Sequence, residues 1–94
     1  MVTGVLILEL QLPGCQSLKE KRHRLKPLIA RLHREFNVSA SEIDLNDSWQ
    51  NGMIACSLVS NSRTHTERSL AKVSVWIESY WPDVSIVDDR IELY

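Results

Sequence analysis

The chain has 94 residues, of which 44% are hydrophobic and 24% are charged, and its formal net charge is −1. This length and composition predict one globular domain over residues 1–94, with a core that needs neither a disulfide nor a metal. A net charge near zero excludes a chain that is attracted as a whole to nucleic acid or acidic lipid, and leaves only a local patch for such a role. No stretch approaches the roughly 20 apolar residues of a membrane span.

The first half of the chain predicts a strand followed by a helix. Strand one covers Val2 to Leu12, where leucines recur at every second position, and Pro13-Gly14 ends it. Helix one begins at Ser17, which forms an S-x-x-E capping box with Glu20, and it ends at Asn37. An interior proline in this helix predicts a kink on its solvent side, and two shorter helices are the alternative.

The second half predicts strand, strand, helix, strand. Strand two covers Val38 to Leu45 and strand three covers Met53 to Ser60, and a polar, turn-rich segment joins them as an antiparallel hairpin. Helix two begins at Ser62, or at a second capping box at Thr64, and ends at Tyr80. Its apolar stripe is predicted to consist of Leu70, Val73, Ile77 and Tyr80. The last strand covers Val84 to Tyr94, with a bulge at Asp88-Asp89 where its alternation breaks.

The order βαββαβ predicts an α+β, ferredoxin-like sandwich, in which a four-stranded antiparallel sheet carries two helices on one face. Right-handed crossovers place strands one and three in the centre, and these are the more apolar strands. The other face of the sheet stays uncovered. Apolar residues there, such as Val5, Ile7 and Met53, favour a homodimer or another protein partner.

Helix one carries the clearest functional signal. Residues 17–36 contain seven Lys or Arg and two Glu, a net charge of +5, whereas residues 37–94 carry −5. Several cations lie in the first two turns, where the helix dipole prefers acids, so cations and backbone amides there predict an anion site. The alternative is a merely solvated helix surface. The candidate contacts to RNA phosphates or other anions are Ser17, Lys19, Lys21, Arg22, Arg24, Lys26, Arg31 and Arg34.

Other residue types give weaker signals. Strands one and three lack aromatic residues, which excludes base stacking on the sheet. Trp49 lies in the turn between strands two and three, where we expect it to pack across the hairpin or in a dimer contact; the alternative is that it stacks on a ligand. The histidines are too far apart in sequence for a metal site, and we find no nucleophile or acid–base constellation. We therefore expect no cofactor and no enzymatic activity.

Three stretches of the chain resemble the YlxP-like family of small bacterial proteins. They are LPGCQSLKEKRHRLKPLIARLHREFNVSASEID, DSWQNGMIACSLVSN and IVDDRIELY, and together they cover nearly the whole chain. The resemblance implies a ferredoxin-like fold and a family of unknown function. Its members are commonly encoded near translation factors and ribosome-maturation genes, which implies an RNA or ribosome role by association. Only the SLKEKR segment, residues 17–22, carries over as a hallmark. Pro27 departs from the uninterrupted helix of the family.

Three hypotheses follow for function. The first is a cytoplasmic accessory protein that binds ribosomal RNA or a ribosomal subunit through helix one. The second is a protein–protein module that forms a homodimer. The third is a regulatory domain that binds a small anion at the start of helix one. We expect the cytoplasm because the two cysteines lack metal-ligand spacing, which suits free thiols, and no targeting segment is recognisable.

Overall fold

The computed structural model describes residues 1–45 and 47–94. Its four strands form one antiparallel sheet in the order β2-β3-β1-β4, which confirms the α+β, ferredoxin-like fold and the central position of β1 and β3. Neither of the two described helices has the length and apolarity needed to cross a membrane. The elements are β1 Val2–Gln11, α1 Leu18–Phe36, β2 Ser39–Asp44, β3 Asn51–Ser60, α2 Arg63–Tyr80 and β4 Ser85–Leu93.

The core lies between one face of the sheet and both helices. Alternate residues of β1 point into it, and Leu6 and Leu8 lie opposite Cys56 and Ile54 of β3, which are also buried. The helices bury their apolar stripes in the same cluster, so both cover the same sheet face. Each fully buried aliphatic side chain contributes roughly 1.5–3 kcal/mol of burial free energy. The stripes consist of Leu25, Leu28 and Leu32 from α1 and Leu70, Val73 and Ile77 from α2.

The α1 helix is one continuous helix with a capped start. Ser17 is extended, and its Oγ accepts a hydrogen bond from the Glu20 amide at 3.0 Å, while the Glu20 carboxylate accepts one from the Gln16 amide at 3.3 Å. Asn37 ends the helix in the left-handed conformation, with φ of 49°. Pro27 lies inside the helix and is exposed to solvent, so one helix is the correct prediction.

The α2 helix begins at the first of the two predicted caps and differs in one detail from the sequence expectation. Its cap is Ser62, whose Oγ accepts from the His65 amide at 3.2 Å, and the capping box predicted at Thr64 does not start the helix. At the end of β3, the Oγ of Ser60 accepts a hydrogen bond from the Ser62 amide at 3.0 Å, and this bond fixes the start of the helix. Tyr80, expected on the buried stripe, is 70% exposed because the helix ends at the rim of the core.

The structure has the bulge that was predicted in β4, but at Val87, one residue before the predicted Asp88-Asp89. Asp88 lies opposite Glu9 and Ile86 lies opposite Leu10, so Val87 is an extra residue between these two pairs. The extra residue shifts the alternation of β4 by one position. As a result Ile86 and the odd-numbered Ile91 both pack against the core, which a regular strand does not allow.

Candidate nucleic-acid interface on helix α1

The cations of α1 fall into two groups that differ in their partners. Lys19, Arg22, Lys26 and Arg34 are exposed, and none of them forms an ion pair within the described residues. Their spacing of three, four and eight residues keeps them on one face of the helix. We call this face the basic stripe; it consists of Lys19, Arg22, His23, Lys26, His33 and Arg34, all exposed.

Lys21 belongs to the second group, because its charge is used inside the protein. Its side chain is 2% exposed, and its Nζ lies 2.8 Å from Glu42 Oε2 and donates to the Leu45 carbonyl at 2.7 Å. Leu45 has a positive φ of 61°, so the ammonium holds the chain at the point where it turns out of β2. An ammonium that is buried and paired in this way is not available to an external phosphate.

Arg24 is likewise committed to the fold. Its Nε lies 2.9 Å from Asp83 Oδ2, its Nη2 donates to the Asp83 carbonyl at 2.6 Å, and its Nη1 donates to the Pro13 carbonyl at 2.9 Å. The hydrogen bond with the Asp83 carboxylate raises the pKa of Arg24. The guanidinium therefore connects α1 to the end of β1 and to the segment between α2 and β4.

Arg31 packs against α2. Its Nη2 lies 3.1 Å from Glu35 Oε1, one helical turn away, and its guanidinium carbon lies 5.4 Å from the centre of the Trp76 ring. Trp76 also stacks on Trp81 and meets Phe36 edge to face. The Arg31 side chain is 40% exposed, so it lies at the margin of the basic stripe with part of its charge already neutralised.

The start of α1 is less suited to an anion than the sequence predicts. Ser17 Oγ already accepts the Glu20 amide, and the Glu20 carboxylate lies over the Gln16 amide and 3.6 Å from Arg24. An anion there would meet a negative charge and would have to displace a cap. Ser17 is therefore a capping residue, and the free cations lie further along the helix.

Trp49 is exposed over 53% of its surface. The sequence predicts that it packs across the hairpin or in a dimer contact, or stacks on a ligand, and within the described residues no aromatic ring or guanidinium stacks on it. The neighbouring Gln50 holds the turn in place, because its carbonyl accepts from the Leu12 amide at 2.8 Å and its Nε2 donates to the Cys15 carbonyl at 3.4 Å. The Trp49 side chain is thus about half exposed to solvent, in a turn that Gln50 anchors.

One surface feature has no counterpart in the sequence prediction. A shallow groove of about 500 Å³ lies between the last turn of α1 and the outer face of α2, and Phe36, Trp76 and Tyr80 line it. Val75, 65% exposed, extends its apolar wall. The signal in the sequence was an apolar residue off the buried stripe of α2, which by itself is common on protein surfaces.

Comparison with known proteins shows to which family the chain belongs. Residues 3–91 match the family described as "Protein of unknown function (DUF503)". The chain belongs to the DUF503 family. It is also similar to the protein described as "Uncharacterized protein YlxP" from Bacillus subtilis (strain 168), with 41% identity over 78 residues. That alignment covers 83% of this chain and 84% of the Bacillus protein, and the YlxP-like resemblance is confirmed.

The uncovered sheet face of this DUF503 chain is a mixed surface. Val5, Ile7 and Met53 are half-buried there among their neighbours on adjacent strands, and charged residues such as Glu9 and Arg90 flank them. An apolar centre with a polar rim suits a contact between proteins, so the homodimer stays a prediction. Sedimentation equilibrium over a range of protein concentrations tests it directly.

This DUF503 chain has two thiols, a type of group that often serves as a nucleophile in covalent catalysis. Both thiols are buried. Cys15 is 0% exposed, and so is Cys56, whose pKa burial raises to about 12. A neutral, inaccessible thiol is a poor nucleophile. Across residues 1–45 and 47–94, no three His, Cys, Asp or Glu side chains lie close enough together to share a metal ion.

Proposed function

We propose that this DUF503 protein binds RNA through the basic stripe of α1 and serves as a non-enzymatic accessory protein in the cytoplasm, with ribosomal RNA or a ribosomal subunit as its partner. One observation carries the proposal: four Lys and Arg side chains are exposed on one helix face, and no described acid pairs with them. Unpaired surface cations release counterions from a polyanion on binding, which is the main source of non-specific RNA affinity.

The length of the stripe favours a polyanion over a small anion. Lys19 and Arg34 are fifteen residues apart, which corresponds to about 22 Å along the helix axis at about 1.5 Å per residue. A single phosphate would reach only one or two of these side chains. A chain of phosphates can contact all of them at once, so the proposal prefers RNA to a metabolite.

The charge of the remaining protein orients this contact. The chain has a net charge of −1, although its first helix carries seven Lys or Arg. Acidic residues on the other surfaces repel phosphate, so an RNA strand approaches with the stripe facing it. Phosphate contacts of this kind position a protein without selecting a sequence.

The test compares two variants that lose the same charge. The stripe variant replaces the four stripe cations by Gln, and the control variant replaces the four Lys and Arg residues outside α1, so both reach a net charge of −5. The probes are a labelled single-stranded RNA of about 16 nucleotides and purified ribosomal subunits, titrated over a salt series. The stripe variant carries Lys19→Gln, Arg22→Gln, Lys26→Gln and Arg34→Gln; the control carries Arg63→Gln, Arg68→Gln, Lys72→Gln and Arg90→Gln.

Four phosphate contacts to a single strand predict a slope of about −3 for log K against log [salt], and therefore roughly 50-fold weaker binding at 200 mM than at 50 mM salt. We expect the stripe variant to lose this binding. The control variant should keep a measurable part of it with the same slope, since its losses change only the long-range field. Equal losses in the two variants, or a wild-type affinity that ignores salt, would contradict the proposal.

A further inference from the structure

The turn that carries Trp49 lies against the first turns of α1, next to the basic stripe. Lys21 Nζ bonds the Leu45 carbonyl at 2.7 Å on one side of this turn, and Gln50 Nε2 reaches the Cys15 carbonyl at 3.4 Å on the other. Arg22 and Lys26 also border a hollow with Glu42 of β2, the strand that leads into the turn. The two sides of the turn are therefore held at the start of α1, the end of the helix at which Lys19 and Arg22 begin the stripe.

The ring of Trp49 is unusual among the tryptophans of the chain. Trp76 and Trp81 stack on each other with centroids 5.9 Å apart and belong to the edge of the core. Trp49 is 53% exposed, and no described ring or guanidinium covers it. Proteins bind single-stranded nucleic acids by combining exposed aromatic rings with a cationic surface, because each base offers a π-face and each phosphate a charge.

Two amide side chains, Gln50 and Asn51, line the same hollow as the ring. Gln11 and Asn51 line a cleft of about 170 Å³ at the end of the sheet, and Asn51, Gln50 and Ser48 line a second hollow together with Trp49. Amides offer both a donor and an acceptor, which matches the edge of a nucleobase. Asp47 in the same turn repels phosphate, so the backbone of a bound strand is expected on the α1 side.

We propose that Trp49 stacks on an unpaired base of single-stranded RNA while the phosphates of that strand follow Lys19, Arg22 and Lys26. This inference rests on the proposed function and deepens it by naming the substrate class: an unpaired segment in place of a duplex. A paired base cannot offer its face to Trp49 without leaving its helix. Duplex RNA would therefore use only the charges of the stripe.

The experiment measures binding of a single-stranded RNA and of a duplex of the same length and composition, with wild type and three variants. Trp49→Ala removes the ring, Trp49→Phe keeps a stacking surface, and Tyr80→Ala removes another exposed ring at the end of α2. Circular dichroism first establishes that each variant is folded. Tryptophan fluorescence is followed during each titration, since a stacked base quenches the indole.

We expect Trp49→Ala to weaken binding of the single strand by about 5-fold or more, in the range found for stacked bases. Trp49→Phe should retain most of the affinity but lose the fluorescence quenching, and Tyr80→Ala should match wild type. Duplex binding and the salt slope should be the same in all four proteins.

Unchanged single-strand affinity in Trp49→Ala, or equal losses for single strand and duplex, would overturn the stacking site and leave the charge-based proposal standing. Absence of binding to either RNA by wild type would overturn both.

Discussion

The buried ion pair between Lys21 and Glu42 gives the sharpest test of how the charges of α1 are divided. In Lys21→Met the aliphatic stem remains and only the ammonium is lost, so Glu42 Oε2 and the Leu45 carbonyl lose their partner. Removing one member of a buried pair costs about 3–5 kcal/mol. Because 19% of the Glu42 side chain is exposed, water solvates part of the stranded charge, and we expect the free energy of unfolding to fall by about 2–3 kcal/mol.

The assay is urea unfolding followed by circular dichroism at one fixed pH. Lys19→Met is the matched control, since it makes the same chemical change on an exposed position of the same helix and should change the free energy of unfolding by less than about 0.5 kcal/mol. The double variant Lys21→Met/Glu42→Leu removes both charges. It should be more stable than Lys21→Met alone, because no unpaired carboxylate remains.

Two results would refute this reasoning. If Lys21→Met costs no more than Lys19→Met, the Lys21 ammonium is solvated in solution and returns to the set of phosphate contacts. If Lys21→Met is folded and still loses RNA affinity as strongly as Lys19→Met, the ammonium acts in binding as well as in folding. The expected result is that the two variants separate: Lys21→Met loses stability and Lys19→Met loses affinity.

Three further predictions concern stability. Gly4→Ala should cost about 1–3 kcal/mol, because a Cβ there would clash with Thr66 Cγ2 and lie 2.8 Å from Leu70 Cδ1. Gly52→Ala, with its nearest contact at 3.4 Å, should cost less, and thermal melts compare the two variants. Arg24→Ala should cost about 1–2 kcal/mol and leave the salt slope of RNA binding unchanged, and Arg24→Lys should not restore the three contacts. Burial raises the pKa of Cys56 from 9.0 to about 12. Unfolding therefore releases a proton between these values, and stability should fall as pH rises from 9 towards 12, less steeply in Cys56→Ala.

The fold was predictable because each element carries a local signal that the structure obeys. The leucines of β1 recur at every second residue and are all buried on one face. Ser17 and Asn37 mark the two ends of α1 by their own chemistry, one as a side-chain acceptor and the other through the left-handed conformation. The bulge beside Asp88 was also predictable, because an odd spacing between buried residues of a strand requires one extra residue.

The sequence leaves a choice open where two local signals compete, and its prediction is wrong where the core ends. Both Ser62 and Thr64 are residue types that cap helices well. The helix begins at Ser62 because the hydroxyl of Ser60, at the end of β3, accepts a hydrogen bond from the Ser62 amide. Tyr80 has the periodicity of the buried stripe, but periodicity does not tell how far the sheet extends beneath the helix. Such choices depend on contacts between elements, which a single sequence does not display.

The candidate site was predictable only as a set of residues on one helix. Arg24 is paired with Asp83, 59 residues away, and Lys21 with a carbonyl 24 residues away, so no local pattern reveals that these charges are used. No local pattern reveals the exposure of Trp49 either, since that exposure depends on how the turn is anchored to the connection between β1 and α1.

Net charge on a helix is therefore a poor measure of its capacity to bind RNA. Of the seven cations in α1, three pair with acids of the same protein. Lys21 connects the helix to β2, Arg24 connects it to the segment between α2 and β4, and Arg31 packs on Trp76 of α2. The four that remain free share one face. We therefore propose that folding and RNA binding depend on different side chains of a single helix, so variants of the cations that pair with no described acid should alter affinity without altering stability.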